Sequence, residues 1–152
     1  VPLSFEQGLN IVYNDSVQDL NKDLNDLDKV SLKNAKIMLS VDNAIPLKLQ
    51  LKAENVQIKD VYGNELTAVK KTMEEDKQYV TESTDGEKPA TSELVLSLTS
   101  DDTAFLSKID RICFKITAVP ESATGVPLKD TQWLKVTSVK LSVPGGVNVD
   151  LN

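Results

Sequence analysis

The side chains able to do acid–base, nucleophilic or metal chemistry in this chain are few in kind. It contains no histidine. That removes the usual general base, the usual proton shuttle and the commonest metal ligand together. Its one cysteine, Cys113, lies between Ile112 and Phe114 in a run of strand type. A reactive thiol needs an electropositive setting, and a thiol protease needs a histidine partner. Cys113 is therefore expected to be a strand residue, facing the second sheet. The stretch "DLNKDLNDLDKV" places Asp19, Asn21 and Asp23 at the first, third and fifth positions of a calcium loop. Leu24 then stands where that loop needs glycine and Val30 where it needs a bidentate glutamate, so the pattern fails. Carboxylate pairs such as Glu74 with Glu75 and Asp101 with Asp102 are adjacent in sequence. A glycosidase needs two facing each other across a cleft, and the second pair is accounted for by the positive end of a helix. No nucleophile elbow, phosphate loop or dinucleotide fingerprint is present. No cofactor, no metal and no enzymatic activity are expected.

The remaining candidates bind rather than react. Aromatic residues make up only 5% of the chain, so each exposed one counts. Tyr62 falls in a turn and Tyr79 beside a polar hairpin. Trp133 leads a strand, where burial in the core is the stronger expectation. These three are the candidate binding residues, suited to stacking on sugar rings or anchoring a protein partner. The net charge is −6, with acids and bases mixed along the chain. Nucleic acid selects a basic face, and acidic lipid a polybasic stretch; neither is present. No apolar run reaches the ~18 residues of a membrane span.

The elements that must position these residues are mostly strands. At 152 residues with 40% hydrophobic content, residues 1–152 suit a single domain that folds without staples. Strands are predicted over 8–15, 35–41, 47–60, 92–98, 112–118, 133–143 and 147–151 from period-two alternation. Short helices are predicted over 16–30 and over 100–109, the second capped by Ser100. Residues 70–93 read as a hairpin with a long mobile tip around Asp85 and Gly86. Within 47–60 the apolar residues change phase: Leu47, Leu49 and Leu51 are odd, Val56 and Ile58 even. A strand keeping one face to the core needs an extra residue to do that, so a β-bulge is expected near 53–56. The same change recurs between Leu134 and Val136 on one side and Val139 and Leu141 on the other. "LNDLDKVSLK" resembles "LSKIDRICFK", and "IPLK" resembles "VPLK". Two related halves, 24–68 and 106–151, are predicted. Pro46 and Pro127 suit the points where the chain crosses between strands. The expected fold is mainly β: a two-sheet antiparallel β-sandwich with two short helices.

"AKIMLSVDNAIPLKLQLKAENVQIKDVYGNEL" and the ending "VTSVKLSVPGGVNVDLN" resemble uncharacterised cell-surface lipoprotein domains of Bacteroidetes. Those carry a strand, an N-x-[IL]-P turn, a second strand and a terminal G-G-[IV]-x-[IV]-D-L-N. The match covers 24–66 and 136–152. The N-x-x-P step is also loosely similar to the LEA-type β-sandwich. The resemblance implies export and tethering at the cell envelope, on the outer-membrane surface or in the periplasm, through a lipid anchor upstream of Val1. It supplies no catalytic residues. The function expected is a non-enzymatic binding or structural module of an envelope-tethered lipoprotein, a monomer whose partner is a surface glycan or protein. The alternatives are a carbohydrate-binding module using Tyr62, Tyr79 and Trp133 and, third, a carboxylate-based glycan hydrolase.

Overall fold

The computed structural model describes residues 3–6, 10–29, 31–119, 126 and 128–151. Period-two alternation builds β3 (Asn34–Asn43), where Ala35, Ile37, Leu39 and Val41 are buried and Lys36 is exposed. The same rule buries Ile112, Phe114 and Ile116 of β8 (Arg111–Ala118). The other strands are β1 (Leu3–Glu6), β2 (Asn10–Val17), β4 (Leu49–Lys59), β5 (Lys70–Met73), β6 (Tyr79–Val80), β7 (Ala90–Thr99), β9 (Leu134–Val143) and β10 (Val147–Asp150). They form two antiparallel sheets packed as a β-sandwich. Sheet A runs β1-β2-β8-β4-β6 and sheet B runs β10-β9-β3-β7-β5. The inward residues of both sheets join in a single core, to which Leu20, Leu24, Phe105, Leu106 and Leu151 also belong. Burying each such large side chain contributes about 1.5–3 kcal/mol. β1 had no counterpart in the sequence reading.

The chain changes sheets at 44–48, between β3 in sheet B and β4 in sheet A, and Pro46 sits in that connection. Asn43 secures it. Its side chain is fully buried; its carboxamide donates to Leu47 O at 3.1 Å and Thr81 O at 3.0 Å, and accepts from Ile45 N at 2.9 Å. Pro46 has no donor to contribute, so a side chain supplies what the backbone cannot. Pro127, the counterpart expected between β8 and β9, lies outside the described residues.

Both phase changes are bulges. In β4, Leu51 faces Ile116 and Val56 faces Phe114, so 52–55 stand against Lys115 alone. In β9 the insertion is smaller: Val136 pairs with Val41 and Ser138 with Ser40, leaving Thr137 as one extra residue. Past its bulge, the outer edge of β4 is closed by the next segment. Leu66 N donates to Ile58 O at 2.8 Å and the Lys71 ammonium donates to Val56 O. Lys71 also pairs with Glu65 at 3.5 Å. A lysine and a bulge are two ordinary ways of blunting a strand edge.

The helices are shorter than the sequence predicts. β2 continues through Val17, and only Asn21–Leu24 is α-helical, followed by a 3₁₀ segment at Asn25–Lys29. Over 100–109 there is no α-helix, only a 3₁₀ turn at Phe105–Lys108. Ser100 and Asp102 are the reason: Ser100 Oγ accepts Asp102 N at 3.1 Å and Asp102 Oδ1 accepts Ala104 N at 3.0 Å. Such side-chain bonds compete with helical ones. Ser100 therefore caps a turn. The arms of the predicted hairpin do pair, β5 with β7, but its tip crosses to sheet A, where Tyr79 and Val80 of β6 pair with Gln50 and Leu49. Around Asp85 and Gly86 the chain folds on buried Ser83, whose hydroxyl accepts Gly86 N at 3.0 Å and donates to Lys88 O at 2.7 Å. Gly86 has φ +75°, and a Cβ there would come 2.6 Å from Gln132 Nε2. The positive φ favours glycine here, while the Gln132 carboxamide, at the end of its side chain, would have to shift for any larger residue.

Exchanging β2 with β7, β8 with β3 and β4 with β9 maps one sheet order onto the other in the central strands. One matched pair of sequences, 24–33 with 106–115, does not occupy matching places, however. Residues 31–33 precede β3, whereas 113–115 lie inside β8.

Candidate functional site

The bulge in β4 shapes a cleft on the surface described. Where 52–55 stand opposite one residue, the outer face of sheet A is concave. The cleft there has a volume of ≈ 560 Å³, within the usual range for ligand sites. Three strands build it in register. Ser16 of β2, Cys113 of β8 and Gln57 of β4 form one row; Asn14 and Lys115 form the next, with Glu54 and Asn55 of the bulge beside them. Cys113 is half-buried on this outer face, between the inward-facing Ile112 and Phe114. That corrects the expectation that it faces the second sheet: alternation places Ile112 and Phe114 inside, so Cys113 must point out.

The polar side chains of the cleft are little committed to the protein. Among the described residues, those of Asn14, Glu54, Asn55, Gln57 and Lys115 make no hydrogen bond or ion pair with other protein groups; Ser16 Oγ accepts from Gln18 at 3.2 Å. At the inner margin Asp15 is engaged, accepting Tyr13 Oη at 3.0 Å and Ser16 N at 2.8 Å. Burial, and then the Asp15 charge, hold the Tyr13 hydroxyl well above its ordinary value of 10.0. A second cleft, of ≈ 500 Å³, lies beyond Asp15, between the 17–23 segment and β9. Asp19 and Asp23 line it, but among the described residues no three histidines, cysteines or acids converge as a metal set.

The three candidate aromatics do not form one site. Tyr62 is 85% exposed at the tip of the β4–β5 turn. The turn is rigid: Asp60 Oδ1 accepts Tyr62 N at 2.9 Å and Asn64 N at 3.0 Å, and Gly63 takes φ +82°. Tyr79 and Trp133 belong to the opposite end, where the chain changes sheets. Trp133 O accepts Ala44 N at 2.9 Å, and Tyr79 pairs with Gln50 near the start of β4. From Gln50 to Lys59, β4 spans six steps of β8, roughly 20 Å at 3.3 Å per residue, and this separates Tyr62 from them. Trp133 is 40% exposed, so the core expectation for it is corrected: the tryptophan precedes β9, and the inward position falls to Leu134. Tyr79 is 39% exposed, with Lys48 Nζ 4.4 Å from its ring centre. None of the three lines the cleft on sheet A.

The acid pairs serve local structure. Glu74 bridges to Lys36 at 2.6 Å and Glu75 begins a 3₁₀ turn. Asp102 is held below its ordinary value by Lys108 and then by Ala104 N. That replaces the helix-end account of the pair. Asp85 is lowered by the backbone N–H groups of Lys88 and Glu87. Sequence reasoning missed the cleft because Asn14, Ser16, Gln57 and Lys115 look like ordinary solvated strand positions. The one signal was the phase change near Ala53, which located the bulge but not the concavity beside it.

Comparison with known protein families, curated proteins and solved structures finds no match. The resemblance to envelope lipoprotein domains therefore stands on its quoted motifs.

Proposed function

We propose that this protein is a non-enzymatic binding module of an exported, envelope-tethered lipoprotein. The observation that carries the binding role is the cleft on sheet A. Three paired strands hold several uncommitted donors and acceptors around one concavity, on a sandwich whose backbone is fixed by its ladders. Sites on such elements are more precisely held than sites on loops. The envelope setting rests on the strand, N-x-[IL]-P and terminal G-G-[IV]-x-[IV]-D-L-N motifs. Isolating the protein from the membrane fraction of its source cell and measuring its intact mass tests that setting. A diacylated N-terminal cysteine is expected; an unmodified protein in the cytosol removes the envelope reading and leaves the cleft to be explained afresh.

A second reading uses the aromatics at the crossing end. Tyr79 and Trp133 are both partly exposed there, and Lys48 lies over the Tyr79 ring; exposed rings of this kind suit stacking on a sugar. A ligand bound at that end would change Trp133 fluorescence. Turnover of any glycan, abolished in an Asp or Glu variant, would replace both readings with a hydrolase. The internal repeat is proposed as well, and the exchange symmetry of the central strands supports it.

A further inference from the structure

We infer that the cleft over the β4 bulge binds a neutral saccharide chain, recognised by hydrogen bonds rather than by aromatic stacking. The inference rests on the binding-module reading and names the ligand class of its site. Three carboxamides converge on the cleft: Asn14 from β2, Asn55 from the bulge and Gln57 from β4. A carboxamide offers a donor pair and an acceptor on one short plane, which suits adjacent hydroxyls that each donate and accept. Ser16 adds a hydroxyl. Lys115 and Glu54 carry opposite charges, so no excess of cations favours a phosphate or sulfate, while Asp15 is already bonded to Tyr13 and Ser16.

Other classes fit less well. An extended peptide would add to a free strand edge. Past the bulge the edge of β4 is occupied by the Leu66 N–H and the Lys71 ammonium, and before it by β6. An apolar ligand would find no aromatic or aliphatic side chain to pack on, since Phe114 is only 3% exposed and the other lining residues are polar or Cys113. The four bulge residues also lack a paired partner for each on β8; any backbone group there that faces water is an additional partner for a sugar hydroxyl, its bond to water exchanging for one to ligand at little net cost.

Cys113, the only cysteine, sits half-buried in the middle of the cleft and serves as a reporter. The folded protein is titrated with xylohexaose, mannohexaose, maltohexaose and chitohexaose, with oligogalacturonate and chitosan oligomers as charged comparators. Labelling of Cys113 by a disulfide reagent and the backbone amide spectrum are followed together. At least one neutral hexaose is expected to slow labelling and to shift amides of β2, β4 and β8. Asn14→Ala and Gln57→Ala, both at exposed positions, are each expected to weaken binding by roughly three- to tenfold without changing the fold. Trp133→Ala is expected to leave binding unchanged. Binding by charged oligomers alone overturns the inference, as does binding by none of the probes. A hexaose that binds without protecting Cys113 and is lost in Tyr79→Ala or Trp133→Ala also overturns it; the binding-module reading then survives at the other end of the sandwich.

Discussion

Asn43 shows how much one side chain settles here. It lies in the N-x-[IL]-P turn, where the sequence singled out Pro46 for its missing donor. The proline explains why the chain leaves the sheet; the asparagine explains how the departure is made affordable in a dry interior. Asn43→Ala leaves Leu47 O, Thr81 O and Ile45 N without their buried partner, at about 1–3 kcal/mol for each group not rescued by water. A loss of about 3–5 kcal/mol in urea unfolding is expected. Asn43→Asp should cost more, because it keeps the acceptor for Ile45 N but turns two attractive contacts into repulsions around a buried charge. Equal stability of the Asp variant and the wild type would contradict this account of the turn. Tyr13 gives a second residue-scale test. Its proton is held above the ordinary value of 10.0, so the folded state keeps a proton that the unfolded state has lost. The associated stability is present below pH 10.0 and is lost as pH rises above it. Tyr13→Phe should flatten the fall in stability above that pH, measured as melting temperature between neutral and strongly alkaline buffer. Burial of Tyr13 was legible from its alternation with Leu9 and Ile11. Its bond to Asp15 was not, because alternation says which way a side chain points but not what waits there.

At the scale of elements, the bulge is the feature most worth altering. Its existence was legible as a change of phase, since period-two geometry forbids Leu51 and Val56 to share a face otherwise. Its size was not: the number of extra residues depends on the partner strand, and the sequence of β4 does not say that Ile116 and Phe114 will be that partner. Helix ends were legible for a related reason only in part. Leu20 and Leu24 are buried as the stripe predicts, yet Asp19 takes φ +57° just ahead of the helix and the Asn21 carboxamide donates to Ser107 O at 2.6 Å, so the segment is tied to the 105–108 turn and only one α-turn forms. The ladder makes a sharp prediction about the bulge. Removing Ala53, Glu54 and Asn55 together leaves Leu51 opposite Ile116, Lys52 opposite Lys115 and Val56 opposite Phe114, with every inward residue still inward. The shortened protein should fold, with a β-type far-ultraviolet spectrum and stability within about 2 kcal/mol of the wild type, the Lys–Lys pair offsetting the regained ladder. It should also lose the cleft, so saccharide protection of Cys113 should vanish while Asn43 and the crossing at Pro46 remain as they were. Failure to fold would mean that the bulge is needed by the sheet itself and is not an insertion upon it.

For the whole molecule, the sandwich was legible because enough amphipathic strands were present to need two facing layers. Strand order was not, because pairing β4 with β8 and β3 with β9 joins residues far apart in sequence, and only the folded topology brings them together. The excursion of 74–89 to sheet A shows the same limit: its polar composition reads as a free tip, yet β6 and buried Ser83 tie it across the sandwich. What these long-range pairings imply is cooperativity. One core receives side chains from both sheets, from the turns at 21–24 and 105–108 and from Leu151, and the chain changes sheets several times, so neither sheet has a core of its own to keep. The described structure should therefore unfold as a unit, as single domains of this size usually do. The lone tryptophan makes this testable. Trp133 reports from the crossing end, whereas far-ultraviolet circular dichroism reports on all strands. Urea curves from the two should coincide, with equal midpoints and slopes. An earlier fluorescence transition would show that the crossing end opens first. The 81–89 loop, packed through Gly86 against Gln132, would then be an independent unit of stability, and the Asn43 clamp would govern that unit rather than the whole fold.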